Sequence, residues 1–289
     1  MLPAMAGKPR IAIVGSGRFG TALAASLHRV GYSIEVVAGP SVESKRRAKR
    51  LANGIRARVR TGSGDVTATV IWICVPDSEI ARAANALDSN FDWRGKVALH
   101  SSGVLTSDAL DVLRKRGASV ASMHPLMTFV AGSQPSLEGV PFAVEGGAAA
   151  VRAARRIVND LGGDAYGIRK QDKAAYHAWG TFASPLLTAL LATTERVAGL
   201  AGVKRKAARR RMMPILLQTL VNYASLGAAD GFSGPIVRGD VETVREHLRV
   251  LKVEPLTQAV YAALGRAALR YLPARNKAAL KKVLDSATK

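Results

Sequence analysis

The sequence is poor in cysteine, in aromatic residues and in long apolar runs. Its one cysteine, Cys74, cannot form an internal disulfide and is typical of a protein from a reducing compartment. Charged residues or glycine interrupt the apolar runs before about 18 residues, so we predict no membrane-spanning segment. The opening residues MLPAMAGKPR contain no apolar core of a signal peptide. We therefore expect a cytoplasmic protein.

Acidic residues are also scarce. There are 21 of them against 42 Lys and Arg, which gives a formal net charge of +21. A field of this sign attracts anions, from phosphorylated cofactors to nucleic acids. The basic residues concentrate at 45–50, 56–60 and 204–211, but no aromatic residue alternates with them. Because a base-stacking platform needs such aromatics, we do not expect nucleic acid as the partner, and a solvated basic surface is the simpler interpretation.

The sequence also lacks the residue patterns of metal binding and of many hydrolases. The five histidines are scattered and, with the single cysteine, show no metal-ligand spacing, so we predict no metal site. The Gly-x-Ser-x-Gly motif of many hydrolases is absent.

What is present is an alternation of strand and helix patterns, followed by helices alone. A chain of 289 residues is long enough for about two domains. We predict strands at 10–15, 33–38, 67–75, 96–100, 118–122, 140–145 and 164–168, and helices at 18–30, 42–53, 78–87, 106–116 and 148–161. From residue 170 only helical periodicity remains, at 170–200, 203–227, 240–250 and 255–271. The pattern predicts an α/β domain with a doubly wound, mostly parallel sheet over 8–168, then an all-α domain over 169–289.

The first strand and helix enclose the sequence GSGRFG. Gly15, Gly17 and Gly20 stand between a strand and a helix of a βαβ unit, which is the context of a Rossmann-type dinucleotide fingerprint. A helix that begins there presents free N–H groups to a diphosphate. A purely structural turn is the alternative. The predicted cofactor contacts in this loop are Gly15, Ser16, Gly17, Arg18, Phe19 and Gly20.

The end of the second strand indicates which dinucleotide binds. An NAD site would place Asp or Glu there, but the sequence reads Ala-Gly-Pro from residue 38. Ser41, Lys45 and Arg46 follow, and they can hold a 2′-phosphate by hydroxyl and charge-assisted hydrogen bonds. We therefore predict NADP(H). Two alternatives stay open: these bases are only a solvated helix face, or a shift of the loop brings Glu43 to the ribose.

Polar turns follow three later strands, at the sheet edge where ligands bind in such folds. We predict Val75, Pro76 and His100 as cofactor contacts and Ser101 and Ser102 as substrate contacts. His124 would face the nicotinamide from the same edge and is one candidate proton donor.

Taken together, the motifs resemble a known group of proteins. They are Gly15–Gly20, VPD at 75–77, HSSG at 100–103, HPLMTF at 124–129, Lys173…Tyr176-His177 and SGPIVRGD at 233–240. The chain resembles an uncharacterised Rossmann-like group related to pyrroline-5-carboxylate reductase, deazaflavin-dependent NADP oxidoreductases and β-hydroxyacid dehydrogenases. The resemblance implies an NADP-binding domain and a C-terminal helical domain that forms homodimers.

Lys173 and His177 are the other candidate proton donors. They are four residues apart and share a helix face. In β-hydroxyacid dehydrogenases, a lysine at a similar place acts as acid and base, and the resemblance implies that role for Lys173 or His177. An exposed lysine beside a packed histidine is the structural alternative.

Residues 230–240 interrupt the helices of the second domain. In pyrroline-5-carboxylate reductase a loop at a similar place helps to bind substrate, and the resemblance extends this role to Arg238 and Asp240. A guanidinium can bind a carboxylate through two hydrogen bonds. The alternative is a plain connection in which Asp240 caps the next helix.

These residues predict an NADP-dependent oxidoreductase. It would transfer a hydride to or from a small carbonyl, imine or hydroxy-acid substrate in the cleft between the domains. A non-catalytic dinucleotide-binding sensor or scaffold is the main alternative, and a charge-driven nucleic-acid-binding protein is the third.

Overall fold

A computed structural model describes residues 7–61, 66–88 and 92–287 of the chain. Within them, eight strands form one sheet in the order β3-β2-β1-β4-β5-β6-β7-β8, in which every neighbouring pair is parallel except β6 and β7. The strands are β1 (Ile11–Val14), β2 (Ile34–Val37), β3 (Arg58–Arg60), β4 (Val70–Ile73), β5 (Val97–His100), β6 (Ser119–Pro125), β7 (Pro141–Gly146) and β8 (Asp164–Gly167). The mostly parallel sheet is confirmed.

All seven predicted strands are present, and the structure adds β3. Its sequence, RVR, lies in a basic segment and gives little indication of a strand. A three-residue edge strand is too short to show the alternation of buried apolar and exposed polar residues by which strands are predicted. The central strands are the opposite case. Strands β1, β2, β4 and β5 are buried along their whole length, because helices cover both faces of a parallel sheet.

The helices of the α/β part are α1 (Arg18–Arg29), α2 (Val42–Gly54), α3 (Asp77–Asp88), α4 (Asp111–Lys115), α5 (Ala148–Asp160) and α6 (Lys173–Thr181). The helix expected over 106–116 is a 3₁₀ turn, Ser107–Leu110, that continues into α4. Helix α3 begins at Asp77, one residue before its expected start.

By the contacts between residues, the chain divides into two compact units between Ser184 and Pro185. The first unit therefore keeps α6 and its candidate residues. Residues 170–200 are helical throughout, as expected, but not as one regular α-helix. A π-helical turn, Phe182–Leu186, separates α6 from α7 (Leu187–Leu200). It contains Pro185, which has no N–H for the helical ladder and crowds the preceding turn.

The second unit is helical, as predicted. Its helices are α7, α8 (Arg205–Asp230), α9 (Pro235–Arg238), α10 (Val241–Leu251), α11 (Pro255–Tyr271) and α12 (Lys277–Ser286). The expected end of α8 at 227 coincides with Gly227, where φ is +78° and the helix is broken. Val244, Leu248, Leu280 and Leu284 form the centre of a small core between α10, α11 and α12.

Among the described residues, no single helix is long and apolar enough to cross a membrane. Only the bent pair Lys170–Leu200 and Arg205–Arg238, taken together, has the length and composition for it.

Candidate active site

The candidate site lies in the first unit, at the carboxyl edge of the sheet. Strands β1, β4 and β5 are parallel neighbours that end at Val14, Ile73 and His100. The turns that follow them, the end of β6 and helix α6 bring the predicted residues of this unit together.

The glycine loop after β1 packs tightly at its first and third glycines. Gly15 has φ +106°, and a Cβ there would lie 2.7 Å from the carbonyl oxygen of Cys74 and 2.9 Å from Val75 Cγ1. A Cβ on Gly20 would overlap the carbonyl oxygen of Gly15. Both positions therefore require glycine for the fold itself, the first because of its left-handed backbone and the third because helix α1 lies directly against the loop.

Gly17 is different, because the protein itself does not require a glycine there. Its backbone has an ordinary φ of −76°, and the nearest atom to an added Cβ is the Cys74 oxygen at 4.0 Å. Gly17 is exposed, and it precedes α1 without capping it by a side chain. A glycine with free space in front of it fits a loop that a diphosphate approaches closely, so the residues present fit a dinucleotide.

The start of α1 has the groups that such a ligand needs. The Thr21 N–H donates to the Gly17 oxygen, so the N–H groups that precede it have no partner inside the helix. No acidic residue lies in the first turn. Arg18 is exposed, whereas the Phe19 ring packs edge-on against Phe129 and Trp72. The Phe19 ring is therefore partly buried, whereas Arg18 is open to solvent.

The segment after β2 has no carboxylate at the position where NAD binding would place one. The strand ends at Val37, and Ser41 caps α2 by accepting a hydrogen bond from the Ser44 N–H at 3.1 Å. In the first turn of α2, Glu43 forms an ion pair with Arg46 at 3.0 Å. Lys45 is exposed on the same turn. The cap and the ion pair both engage residues predicted for the 2′-phosphate, and Lys45 is the least engaged of the three.

The VPD turn after β4 has two roles. Val75 lies against the first glycine of the loop, as the 2.9 Å approach above shows, and Pro76 is exposed beside it. The carboxylate of Asp77, which begins α3, accepts a hydrogen bond from Ser102 Oγ at 2.8 Å. This contact joins the turns after β4 and β5.

His100 is placed differently from the prediction. Its ring is fully buried, its Nε2–H donates to the Thr106 carbonyl at 3.0 Å, and its Nδ1 accepts from the Ser102 N–H at 3.1 Å. Burial lowers the pKa of His100 to about 4, so the ring is neutral. Because both ring nitrogens bind the chain's own backbone, His100 shapes the HSSG turn and has no nitrogen left for a cofactor.

The two serines of the HSSG turn are also used internally. Ser101 Oγ accepts from Trp72 Nε1 at 2.7 Å. Ser102 Oγ donates to Asp77 and accepts from the N–H groups of Val104 and Leu105 at 3.2 and 2.9 Å, so its hydrogen-bonding capacity is filled. Ser102 therefore fixes the turn, and its side chain has no hydrogen bond left for a substrate.

Lys173 lies under this turn. Its side chain is fully buried, and Nζ donates to the Ser102 carbonyl at 3.0 Å and to Ser122 Oγ at 2.7 Å. Burial lowers the pKa of Lys173 to about 8, although the negative charges of Glu145 and Asp77 oppose this shift. The exposed-lysine alternative is excluded by this burial. A lysine with this pKa exchanges its proton near neutral pH.

His124 and His177 meet above the turn. Their rings are 5.9 Å apart, and a Cβ on Gly103 would overlap the His177 ring and lie 3.0 Å from His124 Nε2. Gly103 is therefore glycine because the two imidazoles occupy its side-chain space. His177 is exposed, whereas His124 binds Tyr176, with 2.8 Å between Nδ1 and the phenol oxygen. Burial and the charges of neighbouring bases lower the pKa of His124 to about 4.

Arg238 and Asp240 lie in the second unit and bind each other. The guanidinium of Arg238 forms an ion pair with the Asp240 carboxylate at 2.7 Å. Asp240 occupies the N-cap position of α10, but its side chain forms no capping hydrogen bond. The capping that the sequence favours is replaced by this ion pair, and their substrate role stays a prediction.

The sequence assigns no role to three residues of the site, Gly103, Ser122 and Tyr176, although Gly103 and Tyr176 stand in the motifs that carry the resemblance. Ser122 and His124 are two apart on β6 and so share a face of the sheet, a signal that was available. Tyr176 is one turn after Lys173 on α6, which also places it beside the candidate lysine. The described residues contain no group of three or more His, Cys, Asp or Glu side chains that could hold a metal ion.

Comparisons with protein families agree with this architecture. A family model for a Rossmann-like domain matches residues 5–125, and a model described as a domain of unknown function, DUF2520, matches residues 140–268. These two matches are consistent with the uncharacterised Rossmann-like group that the motifs of the chain resemble. No curated protein matches the sequence.

Several solved structures share the fold. A "putative NADP oxidoreductase" of Bacteroides fragilis aligns over 90% of this chain and 97% of its own, with 20% identity and a TM-score of 0.74. An imine reductase from Pseudomonas sp. aligns over 96% and 100%, with 22% identity and a TM-score of 0.65. A reductive aminase from Aspergillus terreus, solved with NADPH and ethyl-5-oxohexanoate, aligns over 96% and 99%, with 14% identity and a TM-score of 0.67.

Proposed function

We propose that the protein is an NADP-dependent oxidoreductase that transfers a hydride to or from a small carbonyl, imine or hydroxy-acid substrate. One observation carries the proposal: Gly17 leaves unfilled space in front of the α1 N-terminus, at the same sheet edge as a buried lysine and two histidines. The structural neighbours that bear NADP oxidoreductase, imine reductase and reductive aminase names support the same class.

The chain's own residues divide the work as follows. The amides of the glycine loop and of α1 would hold the diphosphate, and Ser41, Lys45 and Arg46 would hold the 2′-phosphate. The bound cofactor supplies the hydride donor or acceptor. His100, Ser102 and Lys173 hold the HSSG turn in place through their internal hydrogen bonds.

The accompanying proton belongs to one of three groups in the first unit. Lys173 Nζ is buried below the turn, His124 lies at the end of β6, and His177 is exposed on α6. Each is an acid or base type that such chemistry uses.

The charge-driven alternative loses part of its support. In the basic segment 204–211, Arg205 and Arg209 both donate to Glu195, at 2.7 and 2.8 Å. The carboxylate is buried and its pKa falls to about 2 because of these two guanidinium groups. Two bases of the segment are therefore committed within the second unit.

We also propose a cytoplasmic homodimer, formed through the helical unit.

Calorimetric titration with NADPH and NADH, followed by a turnover screen with saturating NADPH, tests the proposal. We expect NADPH to bind at least several-fold more tightly than NADH, and a carbonyl, imine or hydroxy acid to be turned over. Binding without any turnover would favour the sensor or scaffold. Absence of binding to either nucleotide would refute the proposal, and a steep salt dependence of DNA binding would then favour the charge-driven alternative.

A further inference from the structure

Tyr176 makes two contacts with one residue. Its phenol oxygen lies 2.8 Å from His124 Nδ1 and 3.2 Å from the His124 carbonyl oxygen. A phenol has one proton to donate, and a carbonyl oxygen can only accept. Both contacts are hydrogen bonds only if Tyr176 donates to the carbonyl and His124 Nδ1–H donates to the phenol oxygen. The pair thereby selects the tautomer of His124.

The selected tautomer leaves the lone pair on Nε2. That atom faces the HSSG turn, 3.0 Å from where a Cβ of residue 103 would lie, and Gly103 adds no side chain of its own there. Burial keeps the His124 ring neutral near neutral pH, since it lowers the pKa to about 4. His124 thus presents an unprotonated nitrogen at the carboxyl edge of the sheet.

The other candidates are held less suitably. Lys173 is fully buried, and two of its three N–H donors are bound to Ser102 and Ser122. His177 is exposed, and among the described residues no hydrogen-bond partner fixes its ring. Of the three, His124 alone combines a fixed tautomer with a ring nitrogen that has no partner in the part of the chain that the structure describes.

We propose that Tyr176 is a positioning residue that holds His124 as the Nδ1–H tautomer, and that His124 Nε2 is the atom that exchanges a proton with the substrate. The inference rests on the proposed function. In the oxidation direction the substrate O–H bond breaks and an N–H bond forms at Nε2. The oxygen keeps the electron pair, which becomes its second bond to carbon as that carbon gives up hydride to the oxidised cofactor. The reverse step returns the proton.

The titratable groups that face His124 come from two elements. They are Lys173, Tyr176 and His177 of α6, and His100 of β5. Tyr166 of β8 faces Tyr176 instead, with the two rings 6.5 Å apart. The neighbouring bases raise the cost of a charged imidazole. The Tyr176 oxygen, which accepts Nδ1–H in either charge state, offsets part of this cost.

The second unit contains a matched control. His247 Nδ1 lies 2.9 Å from Tyr261 OH, and the two rings are 5.8 Å apart at 85°. The His124–Tyr176 rings are 5.5 Å apart at 86°. Replacing either tyrosine by phenylalanine removes one hydroxyl from a histidine–tyrosine pair of nearly the same geometry, but only Tyr176 belongs to the proposed site.

Long-range ¹H–¹⁵N spectra of histidine-labelled protein, without nucleotide or substrate, test the tautomer directly. Signals are assigned with single His→Gln variants. We expect His124 to be Nδ1–H in the wild-type protein and in Tyr261→Phe, and to move toward Nε2–H in Tyr176→Phe. A wild-type Nε2–H signal for His124 would overturn the inference, whether or not Tyr176→Phe folds.

Kinetic measurements then distinguish a role of Tyr176 in positioning His124 from a role in stabilising the fold alone. For a substrate found in the screen, we expect Tyr176→Phe to lower kcat about tenfold with KM changed less than twofold, and Tyr261→Phe to change neither. Unchanged kcat in Tyr176→Phe would refute the role in proton exchange. Because the spectra need no cofactor, failure of NADPH binding would refute the proposed function while leaving the tautomer result to stand or fall by itself.

Discussion

The glycine loop permits a test in which fold and ligand binding respond to different substitutions. In Gly17→Ala, among the described residues other than its chain neighbours, the atom nearest to the new methyl group is the Cys74 oxygen at 4.0 Å, and the backbone angle is ordinary for alanine. We expect the free energy of unfolding to change by less than about 0.5 kcal/mol. We expect the affinity for NADPH to fall at least tenfold, or about 1.4 kcal/mol, because the methyl group fills the space proposed for the diphosphate.

Gly20→Ala should behave in the opposite way. Its Cβ would overlap the carbonyl oxygen of Gly15, and backbone cannot withdraw as a flexible side chain can. Overpacking of this kind costs about 3 kcal/mol. For a unit of this size that lowers Tm by roughly 6–12 °C. Gly54→Ala is the matched control, since Gly54 lies exposed in α2 with open space around its Cα.

Thermal melts and calorimetric titrations of the three variants decide between these expectations. Gly17→Ala should melt with the wild-type protein and bind NADPH weakly, and Gly54→Ala should match the wild type in both respects. If Gly17→Ala is stable and binds NADPH as the wild type does, the diphosphate does not lie against this loop. If Gly20→Ala melts at the wild-type temperature, the packing argument for the third glycine fails.

Three further predictions follow from other parts of the structure. Because burial lowers the pKa of Lys173 to about 8 from an ordinary value near 10.4, the unfolded chain binds more protons between these limits. The unfolding free energy of the wild type, measured in urea titrations, should therefore rise by about 2 kcal/mol from pH 8 to pH 10 relative to Lys173→Met. Parallel curves would contradict the burial of this charge. Lys45→Ala should lower the affinity for NADPH several-fold and leave the affinity for NADH unchanged in calorimetry. The control is Lys49→Ala, at an exposed lysine one turn further along α2, which should change neither affinity. Equal losses of affinity for both nucleotides would exclude Lys45 from the 2′-phosphate site. On helix α8 the relative exposures of Ile215, Leu220 and Tyr223 are 69, 56 and 64%. If this apolar surface forms the proposed homodimer, Leu220→Asp should convert the dimer to a monomer in sedimentation experiments. A monomeric wild-type protein would refute the proposed homodimer.

The sequence predicts the sheet well because its strands are of the easiest kind. IAIV, VIWI and VALH are short apolar runs bounded by turn residues, and burial on both faces makes them stand out. Strand β3 was not predicted, because an arginine-rich edge strand contains no such apolar run. The π-helical turn at Phe182–Leu186 was not predicted either: Pro185 indicates a disturbance of the helix, but not whether the chain stops there or widens one turn and continues.

The candidate site shows why residue type alone could not rank its histidines. His100 ends one predicted strand, His124 follows another, and His177 lies in the helical segment predicted over 170–200; residue type gives each the same chemistry. What separates them is the partner of each ring nitrogen. Both ring nitrogens of His100 bind backbone groups. Within the described part of the chain, neither nitrogen of His177 has a hydrogen-bond partner, whereas His124 has Nδ1 bound and Nε2 free. The partner that decides the case for His124, Tyr176, is 52 residues away along the chain. A base is therefore defined here by a long-range contact, which no local pattern around the histidine contains.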